Sequence, residues 1–600
     1  MNRIKIKKLV TFLIALLILG INASTSILAI NNNESNVNMF KTKKLTLSYS
    51  KPKITDQGDS LKITVNEANQ YYTQFGNPII PYSSIVETFP LGTKIHDVVF
   101  THSKPISINN SKPIITAQQP QFLDRISYEK QDELIEIFSS QEKINNNKWF
   151  EYKLGGGLND DEHVTFLSIH VFPIYYDENY KSIQYIEKAE IKIIYETPKS
   201  IIGNEDIYDL VIISPSGFSN PINRLVDHKN DNDIKSIHVS LDEIYSSEYF
   251  ENHGYDKQEQ IKYFIKNAVE EWGIKYVLLV GSNQKVPIRK AWHGNYELLT
   301  DQYYADLYCS NGSFCSWDSN GNNFYGEYWH EDGKDFVDLY ADVLVGRCAC
   351  QNVFEVAILV DKIIKYETKT HGEWWEKIIL LGGDTFPGYG IIEGELTNDK
   401  IAEALPDFTH IKIRTSEGTF NPKIINREVN KGARFVEYSG HGFEFGMATS
   451  PPDVEDRIFY YTYNLLRLSN HYKLPVVFFD ACLTAKLDYS LGDMFFPFGL
   501  LKIPFPCYAW YWVKKIGGGA IATIGATEVA YSSVDEDGPQ CGAGYLSLEF
   551  FKSFHSCDSV GAMLVSSQNN YLNNLWKDHW TIEQFILLGD STLMVGGDIE

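Results

Sequence analysis

The hydrophobic rhythm of the chain changes once, around Thr197 to Asp206, and the two sides of that change cannot fold alike. Before it, apolar residues recur at every second position. Leu61, Ile63 and Val65 alternate with Lys62 and Thr64, and Ala189, Ile191, Ile193 and Tyr195 alternate with Glu190, Lys192 and the apolar Ile194. Period two turns one face of a strand to a core and the other to water. Turn signals at Gly76-Asn-Pro78 and Pro90-Leu-Gly92 punctuate these runs, so residues 31–200 are expected to form an antiparallel β-rich domain. Past Pro198, Lys199 and Gly203, short continuous apolar runs take over: Leu210 to Ser214, Tyr276 to Gly281, Ile378 to Gly382, Phe435 to Tyr438, Val476 to Phe479 and Ala520 to Ile524. Strands of this kind have no polar face and need cover on both sides. Ile261, Phe264, Ile265, Ala268, Val269 and Trp272 share one helical face, as do Val353, Val356, Ala357, Val360, Ile363 and Ile364. Strand and helix in alternation predict an α/β class with a doubly wound, mostly parallel sheet covered by helices on both faces. Such sheets present their sites at the carboxyl ends of strands.

The first residues predict the compartment. Arg3, Lys5, Lys7 and Lys8 precede an apolar run from Leu9 to Ile21, and small residues including Ala23, Ser24 and Ala29 follow. This is the order of a signal peptide, assigned to residues 1–30, and the run is short for a membrane span. No later window is apolar enough to cross a bilayer, so the expected product is secreted or held at the cell surface, with no transmembrane segment after signal removal. Acidic side chains number 77 against 54 basic ones, a net charge of −23 that argues against a nucleic-acid partner.

Two strand ends carry reactive side chains. One reads Ala433-Arg-Phe-Val-Glu-Tyr438 and then Ser439-Gly-His-Gly442; the other reads Leu474-Pro-Val-Val-Phe-Phe-Asp480 and then Ala481-Cys-Leu-Thr484. The glycines allow a tight turn around His441, and Cys482 leaves its strand at the corresponding edge. Their separation of 41 positions suffices for the connection between neighbouring parallel strands, which would bring imidazole and thiol together. A thiolate attacking a carbonyl, a histidine supplying the leaving group's proton and backbone amides holding the oxyanion make an acyl-transfer site. Either residue alone would be read as structural; the pair at two successive strand ends favours catalysis.

Tyr438-Ser-Gly-His-Gly442 with Phe479-Asp-Ala-Cys482 resembles the gingipain-type cysteine peptidases. Three further tracts carry the likeness: Asp301-Gln-Tyr-Tyr-Ala-Asp306, Asp342-Val-Leu-Val-Gly-Arg347 and Leu588-Gly-Asp-Ser-Thr-Leu593. The resemblance spans roughly 205 to 600 and implies a caspase-like sheet, divided into a first α/β subdomain at 201–375 and a catalytic subdomain at 376–600. It implies a dyad of His441 and Cys482, with the backbone amides of Gly442 and Cys482 as the oxyanion hole. A carboxylate after the strand from Ile378 points to Asp384, which would orient or charge-stabilise His441. Basic-specific members carry an acid about eleven residues on, which points to Glu395, with Glu393 nearby, as substrate-binding groups selecting Arg or Lys. The family usually has Gly three residues after the nucleophile; here Ala485 and Lys486 follow. The N-terminal region resembles the family's propeptides in Gly76-Asn-Pro-Ile-Ile-Pro81 and Phe89-Pro-Leu-Gly92, which implies a zymogen whose cleft stays covered until cleavage, with Lys199, Lys51 and Lys53 as candidate processing points.

Two secondary features remain. Trp317-Asp-Ser-Asn-Gly-Asn-Asn-Phe-Tyr-Gly-Glu327 spaces the oxygens of Asp318, Asn320 and Asn322 as in calcium loops, with Glu327 beyond; Ca²⁺ is the expected structural ion, a metal-free Asn-Gly turn is the competing reading, and no organic cofactor is expected. Of eight cysteines, removing Cys482 leaves an odd number, so another thiol must stay unpaired; Cys309 and Cys315 could close a small loop. The expected activity is a secreted cysteine endopeptidase acting on proteins or peptides. A surface transpeptidase that resolves the acyl-enzyme with an amine, and an adhesion or binding protein on an inactive peptidase fold, are its competitors.

Overall fold

A computed structural model describes residues 40–73, 76–109, 112–117, 119, 121–123, 148–177, 182–198, 207–294, 296–328, 334–369, 371–490, 505–575 and 578–596. The expected signal peptide and Lys199 lie outside them. The described residues from Thr42 onward belong to one compact unit; of the remainder, only Phe40 and Lys41 are described.

The apolar runs past the rhythm change build one sheet of ten strands. In chain order they are β1 (Leu210–Ser214), β2 (Ser236–Ser240), β3 (Tyr276–Val280), β4 (Leu344–Cys348), β5 (Lys377–Gly382), β6 (Thr409–Arg414), β7 (Phe435–Ser439), β8 (Val476–Asp480), β9 (Ala522–Ala526) and β10 (Phe585–Leu588). Their spatial order is 2-1-3-4-10-9-8-7-5-6. All neighbours pair in parallel except β9 and β10, which are antiparallel. The sheet is therefore two parallel halves running in opposite directions, and β5 to β9 end along a common edge. All six expected runs are strands. Four strands lie outside those runs: β2 and β6, which polar residues interrupt as in Thr409-His-Ile-Lys-Ile-Arg414, and β4 and β10, which overlap the tracts Asp342 to Arg347 and Leu588 to Leu593.

Helices cover the sheet as the 3.6 period requires. α1 (Lys257–Trp272) buries Ile261, Phe264, Ile265, Ala268 and Val269, and Asp256 caps its first turn by accepting from the Glu259 amide. α2 (Val353–Thr368) buries Val356, Leu359, Val360, Ile363 and Tyr366; its first-turn residue Val353 stays exposed.

The three peripheral tracts of the resemblance meet as a structural lattice. Arg347, fully buried, donates to both oxygens of Asp301 at 2.6 and 2.7 Å and to the carbonyls of Gly281 and Val286. Asp342 accepts from the amides of Leu307 and Tyr308, and Asp590 pairs with buried Lys229 at 2.9 Å. Paired in this way, buried charges hold the first half of the sheet to its loops. Tyr308 bridges to Phe314, which brings Cys309 and Cys315 into hydrogen-bond contact; that contact and burial push the Cys315 thiol up.

The N-terminal region is antiparallel as expected. Gln70–Tyr72, Ile80–Pro90, Glu162–Val171 and Phe150–Asn159 form one sheet in that order, and Lys94–His102 pairs with Lys188–Glu196. Ile63, Leu167, Ile169, Ile191 and Ile193 belong to its core. The apolar Ile194 is half-buried, and the ladder bulges beside it on the opposite strand: Ile194 pairs with Asp97 and Tyr195 with Ile95, which leaves His96 as the extra residue. Glu162–Val171 departs from alternation because its polar side chains face other parts of the chain. Thr165 Oγ1 donates to the Ser310 carbonyl at 2.8 Å, and Ser168 Oγ donates to Asn573 Oδ1 at 2.5 Å.

Candidate active site

The site begins with two neighbouring strands. β7 and β8 are buried along their whole length and pair in parallel with Ser439 opposite Asp480. The chain therefore leaves both strands at the same level, His441 two residues past one end and Cys482 two past the other. Gly440 N donates to the Asp480 carbonyl at 3.1 Å. A Cβ on Gly442 would lie 2.3 Å from the Cys482 carbonyl oxygen and 3.0 Å from its nitrogen, so only glycine lets the histidine loop rest against the nucleophile's backbone. Both His441 and Cys482 are buried.

Cys482 is held from the far side by Ala530. The Ala530 amide donates to Sγ at 3.0 Å, and the thiol donates to the Ala530 carbonyl at 3.1 Å. The backbone turns sharply at the next residue: Leu483 has φ of 54°, a left-handed conformation that costs a non-glycine residue about 1–2 kcal/mol. Strain of this kind beside a reactive group is typical of functional turns.

The imidazole is oriented by a carbonyl. His441 Nε2–H donates to the Thr385 carbonyl at 2.8 Å, which assigns acid–base work to Nδ1, and the Phe386 ring stands edge-on to it at 5.7 Å. Thr385 sits in the loop after β5, and that loop is clamped. Asp384 exchanges backbone hydrogen bonds with Ser450 at 2.9 and 3.1 Å, and its carboxylate accepts from Asp453 N at 2.8 Å. Glu393, at the start of α3 (Glu393–Ala404), accepts from the amides of Thr385 and Phe386 at 3.2 and 3.4 Å. Burial pushes the Glu393 carboxyl up to about 7, with the Asp384 charge adding to it, and burial raises Asp384 as well.

The resemblance implied Asp384 next to His441 and Glu395, with Glu393 nearby, as substrate-binding groups. The structure puts Asp384 one residue from the acceptor, where it anchors the loop, and gives the contact at Nε2 to Thr385, whose role no side-chain pattern could signal because every residue has a carbonyl. Glu395, buried, accepts from Thr415 Oγ1, Ser416 N and Ser416 Oγ at 3.2, 2.9 and 2.6 Å. Asp480, part of the recognised Phe-Asp-Ala-Cys motif, accepts from Ser439 Oγ at 2.6 Å and so ties together the two strand ends that carry the dyad.

A segment from the N-terminal region enters the site. Gln121–Phe122 pairs antiparallel with the strand Tyr531–Asp535, opposite Ser532 and Tyr531. Leu123 N donates to the Ala530 carbonyl at 3.0 Å, and Gly442 N donates to the Leu123 carbonyl at 3.2 Å. The amide expected in the oxyanion hole thus holds a peptide carbonyl.

The candidate calcium loop also closes on itself. Asn320 and Asn322 donate to Glu327 Oε2 at 2.9 and 2.6 Å, and the Asp318 carboxylate accepts from the amides of Asn322 and Asn323 at 3.0 Å each. As hydrogen-bonded, Asn320 and Asn322 turn their Nδ2 groups to Glu327 while their Oδ1 atoms accept from the amides of Asn322 and Phe324 at 3.0 and 2.8 Å; turning both carboxamides over would present oxygens that suit a hard cation. Among the described residues no three His, Cys, Asp or Glu side chains form a metal-binding group.

The family model for Peptidase family C25 matches residues 204–596. Gingipain R2 of Porphyromonas gingivalis is 24% identical over 289 residues, 47% of this chain and 33% of that protein. Gingipain R1 of Porphyromonas gingivalis is 24% identical over 47% of this chain and 24% of its own length. The match thus spans about a third or less of these curated relatives. The complex of Porphyromonas gingivalis RgpB pro- and mature domains is 20% identical, covering 64% of this chain and 79% of that one at a TM-score of 0.47.

Proposed function

Because the chain belongs to peptidase family C25, we propose that it is an exported cysteine endopeptidase made as a zymogen, with Cys482 as nucleophile and His441 as general acid and base. The observation that carries this reading is the approach of Gly442 to the Cys482 backbone, which sets the His441 loop against the segment that carries the thiol. In the proposed reaction the Cys482 thiolate attacks a peptide carbonyl, and the developing oxyanion takes hydrogen bonds from the amides of Gly442 and Cys482. His441 Nδ1 passes its proton to the departing amine, while Thr385 holds Nε2–H and keeps the ring in register. Asp384 and Glu393 act through the loop they fix. Water then resolves the acyl-enzyme.

Latency follows from the position of Leu123. With the Gly442 amide already given to its carbonyl, a substrate carbonyl cannot use the same donor, so the N-terminal region would have to leave before turnover. The reading gives Glu395 no role at the cleavage site, since three donors already hold its carboxylate. Asp318, Asn320, Asn322 and Glu327 are proposed to hold a structural Ca²⁺ that stiffens their loop and takes no part in the reaction.

Cys482→Ala should abolish peptide hydrolysis without changing the fold measured by circular dichroism; full activity in that variant would sink the mechanism. Mass spectrometry of products formed with an added amine separates hydrolysis from transpeptidation.

A further inference from the structure

Any substrate of the proposed peptidase must present one residue in a defined way: its carbonyl oxygen on the oxyanion donor and its carbonyl carbon near the thiol. Leu123 is bracketed on both counts. Its carbonyl takes the Gly442 amide, and its own amide is given to Ala530, the residue that also holds Cys482 Sγ through both its N–H and its C=O. The two residues before it continue as an added strand on Tyr531 and Ser532, the way extended peptides bind a sheet edge. Backbone geometry thus gives Leu123 the place of the residue whose bond is cut and Phe122 the place before it.

The side chains at these places are apolar and deeply covered. Leu123 is 2% exposed and Phe122 7%. Both belong to the hydrophobic cluster that contains Ala481, Cys482, Ala530 and Tyr531, and not to the separate core of the N-terminal sheets. A basic side chain in the position of Leu123 would need a carboxylate to offset its desolvation. The acids of the neighbourhood are engaged: Glu395 with Thr415 and Ser416, Glu393 with Thr385 and Phe386, and Glu528 with Lys486 at 2.9 Å. Among the described residues of these loops Asp384 is the remaining carboxylate, bound to Asp453 N through one oxygen.

We propose that this enzyme cuts after a medium-sized aliphatic residue preceded by an aromatic one, with Phe122-Leu123 as the built-in example, and not after Arg or Lys. The inference rests on the peptidase reading and adds its substrate class. It is tested with the full chain and with full-chain Leu123→Gly, which weakens the resident strand, on the fluorogenic series acetyl-Gln-Phe-X-aminomethylcoumarin with X as Leu, Arg, Lys or Asp. Leu should exceed Arg and Lys at least tenfold in kcat/KM, and Leu123→Gly should raise the rate. Equal or faster cleavage after Arg or Lys overturns the substrate class and leaves the peptidase intact, with Asp384 as the pocket acid. Failure to cut any member in either form, and again after limited proteolysis that detaches the N-terminal region, removes the peptidase reading and this inference with it.

Discussion

Asp480→Asn should make the protein more stable at neutral and alkaline pH, by an amount that grows as the pH rises. Asp480 is 1% exposed; Oδ2 accepts from Ser439 Oγ, and Oδ1 has no hydrogen-bond partner among the described residues. On the same face of the sheet lies Glu437, which accepts from Asn398 Nδ2 and Ser547 Oγ, and α4 (Gly542–Lys552) covers both, with Gly544 nearest to Asp480. Burial pushes the Asp480 carboxyl from 3.8 up to about 7 and holds Glu437 well above the carboxylate range, with Asp480 as its charged neighbour. The raised value means that the folded chain keeps a proton which the unfolded chain releases. The associated stability is complete below about pH 4 and is lost as pH rises through about 7. A shift of about three units at about 1.4 kcal/mol each amounts to about 4 kcal/mol, of which about 3 falls between pH 4.5 and 8. Asparagine keeps an acceptor for Ser439 and cannot ionise. In a Cys482→Ala background that prevents self-cleavage, urea unfolding followed by tryptophan fluorescence should show the advantage of Asp480→Asn widening by about 3 kcal/mol across that range. A difference that stays constant with pH would refute the assignment of a neutral buried carboxyl.

Gly442→Ala places a methyl group 2.3 Å from the Cys482 carbonyl oxygen, which requires a displacement approaching 1 Å; kcat/KM should fall about a hundredfold and the overpacking should cost about 1–3 kcal/mol of stability, as steady-state kinetics and calorimetry would show. Arg347→Ala leaves Asp301 buried and unpaired and should cost about 3–5 kcal/mol in denaturant unfolding. Leu123→Pro removes the N–H given to Ala530 and should raise the basal peptide hydrolysis of the full chain severalfold, read from initial rates before any cleavage of the chain. Chelation with EGTA should lower the melting temperature, and Asp318→Ala with Glu327→Ala should abolish that response.

Periodicity reveals how a segment is buried, and this made most of the architecture legible. The alternation around Leu61 to Val65 and Ala189 to Ile193 specified half-buried strands, and the apolar runs of β1, β3, β5, β7 and β8 specified strands covered on both faces. Where burial was uneven the pattern failed: β2 and β6 carry polar residues, and Glu162–Val171 buries its polar side chains against distant parts of the chain.

At the candidate site the sequence alone marked His441 and Cys482, because a reactive side chain flanked by small residues after an apolar run is a local signal. Asp384, Glu393 and Glu395 came instead from the resemblance to the gingipain-type peptidases. What those acids do was decided by tertiary structure: Thr385 took the contact with the imidazole, Thr415 and Ser416 took Glu395, and Leu123, more than three hundred residues away in the chain, took the Gly442 amide. The reason is physical. Side-chain chemistry differs from residue to residue and can be read in order, whereas the carbonyls and amides that orient a ring or hold an oxyanion are the same in every residue. Only the path of the folded backbone determines which of them arrives.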